Sequence, residues 1–389
     1  MPRSSILALI GVTLVVAGCG SSNSSSNTNA SSPAASSTPV ATVASSERAE
    51  SSFLTPLKTV STVASTVPAS GDVNPYGIVL VSMSTGKLKA GELLVSNFND
   101  KANNQGTGTT IVQISPGGQQ TLFSRISASS LPGDCPGGVG LTTALSVLPG
   151  GYVVVGSLPT TNGKSASARL GCLIVLDSSG KPVSTISSPR IAGPWDMTSK
   201  SQGNETTLFV SNALDGGAAK GVHTTKNSTV MRIRLQSGVG QPPKVLSEKV
   251  IANKIPWRDD PQALVIGPTG VALASNGTLY LADTLDNRIA AITGAMTRTI
   301  AAPDGGSTVS EGGLLNQPLG LIVAPNGNIL TTNAGDGKMV ETTPAGKQVI
   351  AQTADKKTGA GSLFGLVLAP QGKGIYYVDD GENTLRLLH

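Results

Sequence analysis

One recurring pattern constrains the fold of this chain more than any other property. It is clearest at residues 267–293, "GPTGVALASNGTLYLADTLDNRIAAIT": a Pro-x-Gly lead, a short apolar run, Asn-Gly, a second run ending at Asp283, then Asn-Arg before a third. Closer copies stand at 316–350 and 363–388, and more degraded ones at 74–123, 137–186 and 193–236, with insertions at 101–107 and 159–168. Self-similarity of this kind marks an array of like supersecondary units. Each unit reads as four short strands, because its apolar runs are brief and bounded by turn formers. Asn276-Gly277 and Asn326-Gly327 suit the positive φ angles of a tight hairpin turn. In five copies the residue six places beyond the turn glycine is polar, Asn97, Ser157, Asp283, Asn333 and Asp380, and with Asn212 of the remaining copy these give a ring of six.

One such sheet cannot bury both faces, but several packed radially can. Six copies therefore predict an all-β, six-bladed β-propeller. The chain stops after the third strand of the last copy. Residues 54–64, "LTPLKTVSTVA", are expected to supply the missing outer strand and close the ring, leaving no open edge. Composition agrees, since 47 Gly, 24 Pro and only 3% aromatic residues favour turns and strands over helices. The net charge of +5 comes from scattered Lys and Arg, with no basic stripe interleaved with aromatics, so nucleic acid is not an expected partner.

The stretch "GPTGVALASNGTLYLADTLDNRI" resembles an NHL repeat, whose pattern is Pro-x-Gly, then Gly, then Asp and Asn-Arg before an apolar residue. The resemblance implies a propeller spanning 53–389. In it, Gly270 lets the innermost strands approach near the axis, Asp283 accepts loop N–H groups, and Arg288 pairs with Asp283 or Asp286. A catalytic Asp/Arg pair is the competing reading. Similar positions recur in every blade, which favours scaffolding.

At the N-terminus, Arg3 precedes an apolar run over 6–16 that is too short to span a bilayer. It ends in Val16-Ala17-Gly18-Cys19, which resembles the lipobox of bacterial lipoproteins. The resemblance implies a signal peptide at 1–18 and a diacylglycerol thioether on Cys19. An ordinary secretory signal is the other reading. Gly20 after the cysteine implies, by resemblance to diderm lipoproteins, an outer-membrane location facing the periplasm or the cell exterior. Residues 20–50 are too poor in apolar side chains to offset ordering entropy, so 19–52 reads as a lipidated, flexible tether. With Cys19 acylated, Cys135 and Cys172 are either a disulfide in an oxidising compartment or two separate buried thiols.

Propellers receive ligands where equivalent loops converge on the channel. The residues before the lead glycine, Tyr76, Val139, Trp195, Thr269, Leu319 and Phe364, should form a ring there. They make either a stacking mouth for a ligand or peptide, or a plug of bulky side chains. Asp196 stands where other copies carry glycine, so a carboxylate either holds a metal or substrate or bonds a neighbouring blade. The polar ring offers oxygen to Ca²⁺, but its members lie on different blades, and calcium needs donors within about 2.6 Å of one point.

Streptogramin lyases and peptide-amidating lyases resemble this chain in fold and use channel histidines. Here the two histidines, His223 and His389, lie outside any predicted inner strand. Sugar-lactonase-like propellers use Glu, Asn and Asp around a divalent ion; Asp196 with Asn212 supplies part of that set, without the Glu. No G-x-S-x-G, P-loop or HExxH occurs. The sequence thus favours a monomeric, lipid-anchored binding or scaffold module for a protein, peptide or small ligand. The alternative is a metal-assisted hydrolase or lyase.

Overall fold

The computed structural model describes residues 51–214 and 225–389, apart from 239 and 262. The signal segment, Cys19, most of the tether and His223 lie outside the described residues.

Six antiparallel sheets stand around a common axis. The first blade runs outward through Val73–Leu80, Leu93–Asn99, Thr110–Ile114 and Gln120–Arg125. The second is Leu141–Val147, Val153–Ser157, Cys172–Leu176 and Pro182–Ile186. The fourth and fifth begin at Pro268–Leu273 and Pro318–Val323 and end at Ser307–Glu311 and Gln348–Thr353. The sixth is Leu363–Leu368, Ile375–Asp379 and Thr384–Leu388, completed by Val60–Ser65 from the far end of the chain. That closure was expected. The paired segment is Val60–Ser65, and Leu54 and Leu57 instead pack beneath the last two blades. The final residue joins the seam, His389 N–H donating to Thr59 O while Lys58 and Thr59 donate back to its carbonyl.

The third blade departs from the four-strand expectation. Its inner strands are Pro194–Gln202 and Glu205–Asn212, but Thr225–Gly238 and Gln241–Asp260 are far longer than their counterparts. A fifth strand, Leu264–Ile266, pairs onto Arg258–Asp260. The surplus length is not visible as a repeat because it has no equivalent in the other copies.

The hairpin turns also differ in type from the sequence reading. Gly277 and Gly327 have φ of 83° and 86°, but the Asn before each is not in the left-handed region. Gly277 N–H donates to Ala274 O, and Ala274 N–H to Thr278 O, which is a type I turn followed by a glycine bulge. The Asn works through its side chain: Asn276 Oδ1 accepts Thr278 N–H at 2.9 Å and Asn326 Oδ1 accepts Asn328 N–H at 3.1 Å.

Adjacent inner strands approach so closely that four blades need glycine near the axis. A Cβ on Gly77 would lie 2.8 Å from Thr143 O, and one on Gly365 2.5 Å from Tyr76 O. Five of the six seams are stitched there by a hydroxyl reaching the next blade's carbonyl. Ser96 donates to Thr142 O at 2.8 Å, Ser211 to Thr269 O at 2.6 Å, Thr269 to Leu319 O at 3.0 Å and Thr332 to Phe364 O at 2.9 Å. Thr143 makes the same bond to Trp195 O. At the closing seam, Val378 occupies the position held by Ser96, Ser211 and Thr332.

Cys135 and Cys172 form a disulfide, with Cα atoms 5.3 Å apart.

Candidate functional site: the central channel

Strand register fixes which residues face one another around the axis. Pro75, Leu141, Pro194, Pro268, Pro318 and Leu363 pair with Asn97, Ser157, Asn212, Asp283, Asn333 and Asp379. This corrects two sequence assignments. Thr142, not Val139, is the second blade's member of the ring with Tyr76, Trp195, Thr269, Leu319 and Phe364, because its "GGVGLTT" lead carries the equivalent strand start later. Asp379, not Asp380, completes the polar ring, because the preceding turn in the last blade is one residue longer than in its counterparts and ends on a second glycine, Gly374, beyond the one that matches them, Gly372.

The first of these rings closes the upper end of the channel, where the inner strands begin. Tyr76, Trp195, Thr269, Leu319 and Phe364 are all buried, none more than 8% exposed. Tyr76 is stacked between Phe98, at 4.5 Å, and Phe364, at 3.9 Å, and Trp195 meets Tyr76 edge-on at 5.7 Å. Burial, and then the charge of nearby Asp380, push the Tyr76 hydroxyl well above its ordinary pKa. Over these rings lies a cap that the sequence showed only as insertions. Trp257, Leu264 and Val265 of the third blade join the same apolar cluster. Ser165 donates to Leu264 O, and Thr160 N–H to Gly106 O, so the insertions of the first three blades hold one another. These residues form a plug.

The polar ring serves the loops. Asn97 Nδ2 donates to Thr66 O, Ser157 Oγ to Gly138 O and Asn333 Nδ2 to Leu314 O. Asp283 takes Arg288 Nε at 3.0 Å, while Asp379 takes Arg386 Nε at 3.1 Å. Burial raises both carboxyls to about 6 against the pull of those guanidiniums. Each of these five members makes at least one bond within or beside its own blade, although one oxygen each of Asn97, Asp283 and Asn333 is buried without a hydrogen-bond partner, and the pairing of Asp283 with Arg288 is structural. Asn212 is the exception, its amide buried without a hydrogen-bond partner among the described residues, as is Nε1 of Trp195, which follows the residue paired with it across the ladder.

Below the plug the channel is a cavity of about 330 Å³ to which all six inner strands contribute. Its lower half is walled by half-buried apolar side chains, among them Ile78, Leu273, Val323 and Leu368. Among the described residues, Asp196 is the single titratable one in its lining. Asp196 Oδ2 accepts the N–H of Val271, in the next blade, at 3.0 Å. The sequence left that inter-blade bond as one of two readings. Burial lifts the carboxyl to about 7, although the N–H groups of Val271 and Met197 draw it down. The hydroxyls of Ser146 and Ser199 meet at 2.7 Å lower in the channel.

No group of three or more His, Cys, Asp or Glu converges among the described residues. Calcium takes six to eight oxygens, roughly 2.3–2.6 Å away. One carboxylate, with Thr143 and Thr269 already donating to neighbouring carbonyls, does not fit that requirement.

No protein-family model matches the sequence, and no curated protein matches it. Solved structures do match in fold. A luciferin-regenerating enzyme superposes with a TM-score of 0.51 at 11% identity, covering 85% of this chain and 94% of the other. XC5397 of Xanthomonas campestris, described as a gluconolactonase, gives 0.51 at 12% identity over 84% and 88%. The calcium-binding protein regucalcin of Agrobacterium tumefaciens gives 0.50 at 11% identity over 84% and 93%. At these identities the likeness establishes the six-bladed propeller and carries no chemistry across.

Proposed function

We propose that this chain is a cell-envelope binding module, tethered through lipid on Cys19, that receives a ligand or partner at the open, lower end of its channel. The observation that supports this reading most is the state of the channel. Its upper end is filled by aromatics, and the described residues of its lumen supply one carboxylate with no second acid or base, the Ser146 and Ser199 hydroxyls being bonded to each other lower down. General acid–base or metal-assisted hydrolysis requires at least one further positioned group.

The tether fits the same picture. Ser51 O accepts Asn326 Nδ2 at 3.0 Å, in the turn at the lower end of the fifth blade's inner strand. The chain therefore leaves the propeller on the face where the channel opens.

The metal-assisted hydrolase or lyase is the second reading, supported by fold neighbours described as enzymes or calcium-binding. Two measurements on the full chain decide. Metabolic labelling with an alkynyl fatty acid should mark the wild type and not Cys19→Ser, and the variant should leave the membrane fraction. Calcium titration should leave the melting temperature unchanged. A rise of several degrees that disappears in Asp196→Ala, accompanied by lactone or ester turnover, would hand the argument to the enzyme.

A further inference from the structure

We propose that the lower channel binds a small organic cation, a primary ammonium on a slender apolar body, with the Asp196 carboxylate as its counter-ion. The proposal rests on the channel being the binding site and names the ligand chemistry that site would select.

Three features converge on it. First, Asp196 has no cationic partner among the described residues: none of the Lys, Arg or His residues among them lines the channel, and none of their ion pairs involves this carboxylate. A charge taken largely out of water is unfavourable unless paired, so a part-buried carboxylate with no counter-ion, in a shaft lined by aliphatic side chains and a few hydroxyls, is a liability that a ligand would relieve. Second, the fold does not demand it. Gly77, Gly270, Gly320 and Gly365 hold the same place in four other blades, and Thr143 in the fifth. The N–H groups of Val271 and Met197 occupy two of the carboxylate's roughly four acceptor sites and fix its orientation, leaving the rest for the channel. Third, the shape is that of a shaft closed at one end. The aromatic plug blocks access from above, while Leu273, Val323 and Leu368 line the way in from below with aliphatic surface. The cavity, about 330 Å³, lies at the small end of the range for organic ligands, roughly 300–1,000 Å³. A ligand entering from below places its charged head against Asp196 and its apolar body along those walls. A hard metal ion would meet too few oxygens, as calculated for calcium above.

The test uses the full chain and a matched set of probes: n-hexylamine, 1-hexanol, hexanoate and calcium chloride, by calorimetry and thermal shift at neutral to mildly alkaline pH. Saturable binding of hexylamine is expected, with hexanol and hexanoate much weaker. Asp196→Asn should weaken hexylamine by at least about tenfold while leaving hexanol unaffected. Asp196→Glu, which keeps the charge, should restore part of the affinity. Equal binding of hexylamine and hexanol, or an affinity indifferent to Asp196→Asn, would keep the channel as a binding site and overturn the ammonium assignment. Stabilisation by calcium alone, or saturation by none of the probes, also overturns it. The lipid-labelling and turnover experiments judge the broader reading separately.

Discussion

A carboxylate buried without a counter-ion should weaken the protein that carries it, and Asp196→Asn measures by how much. Its carboxyl is lifted from 3.8 to about 7, by burial against the opposing N–H groups of Val271 and Met197. The folded pKa lies above the unfolded one, so the folded state holds the extra proton between them. Stability is then greatest below the unfolded value and is lost as pH rises through about 7. Each pKa unit corresponds to about 1.4 kcal/mol, so between pH 5 and 8 the wild type should lose up to about 3 kcal/mol through this residue alone. Water in the channel and local relaxation reduce that to about 1–2 kcal/mol. Asn keeps an oxygen for the Val271 N–H and cannot ionise. The Asp196→Asn protein should therefore gain stability relative to wild type on going from pH 5 to 8, by that amount, in urea denaturation at both values. The comparison is a difference of differences, so any general effect of the substitution cancels. A gap that stays constant between the two pH values would show that Asp196 is already charged and well solvated, or already paired. The reasoning about its burial would then fail. Hexylamine added at pH 8 should narrow the gap by stabilising only the wild type.

Three further outcomes follow from the packing. Thr332→Val removes the hydroxyl that accepts Gly320 N–H and donates to Phe364 O, and should cost about 1–3 kcal/mol, whereas Val378→Thr offers the same stitch at the closing seam and should be neutral or stabilising by up to about 1 kcal/mol; thermal denaturation of both distinguishes a real seam bond from mere proximity. Burial alone would raise Glu341, but hydrogen bonds from Asn328, the Leu54 N–H, Ser52 and the Phe53 N–H hold it below its ordinary pKa. Its contribution is full above the unfolded value and is lost as pH falls through the folded one, so Glu341→Ala should cost about 3 kcal/mol near neutrality and progressively less below pH 4, with early proteolysis after residue 51 as the readout. Replacing Cys135 and Cys172 by Ser opens a loop of sequence separation 37 and should lower stability by about 4 kcal/mol on the chain-entropy account, with no further loss on adding reductant.

What the sequence disclosed, and what it withheld, divides along the difference between local and relational chemistry. Turn glycines, Asn-Gly pairs and Pro-x-Gly leads act within a few residues of themselves, so the blade count, the borrowed strand at Val60–Ser65 and the Asp283–Arg288 pair were all readable. Ring membership is relational. Thr142 and Asp379 are identified by which residue they face across a ladder; a longer lead before the second blade moved the first assignment, and one extra turn residue in the last blade moved the other. The cap was hidden for a related reason: Ser165, Gly106 and Leu264 are far apart in the chain and belong to no repeat, so nothing in the spacing says that they meet. Asp196 lies between these cases. Its departure from glycine was visible as a broken rule, and the neighbouring blade's N–H explains how the carboxylate is held. It does not explain why a carboxylate is held there at all. Four glycines show that the position can be filled without a side chain, and the closed upper end and open lower end show from which side anything reaching it must come. A carboxylate without a counter-ion among the described residues, in a largely aliphatic shaft closed above, is positioned for something other than the fold. The chemistry that relieves it is a positive charge brought in from outside.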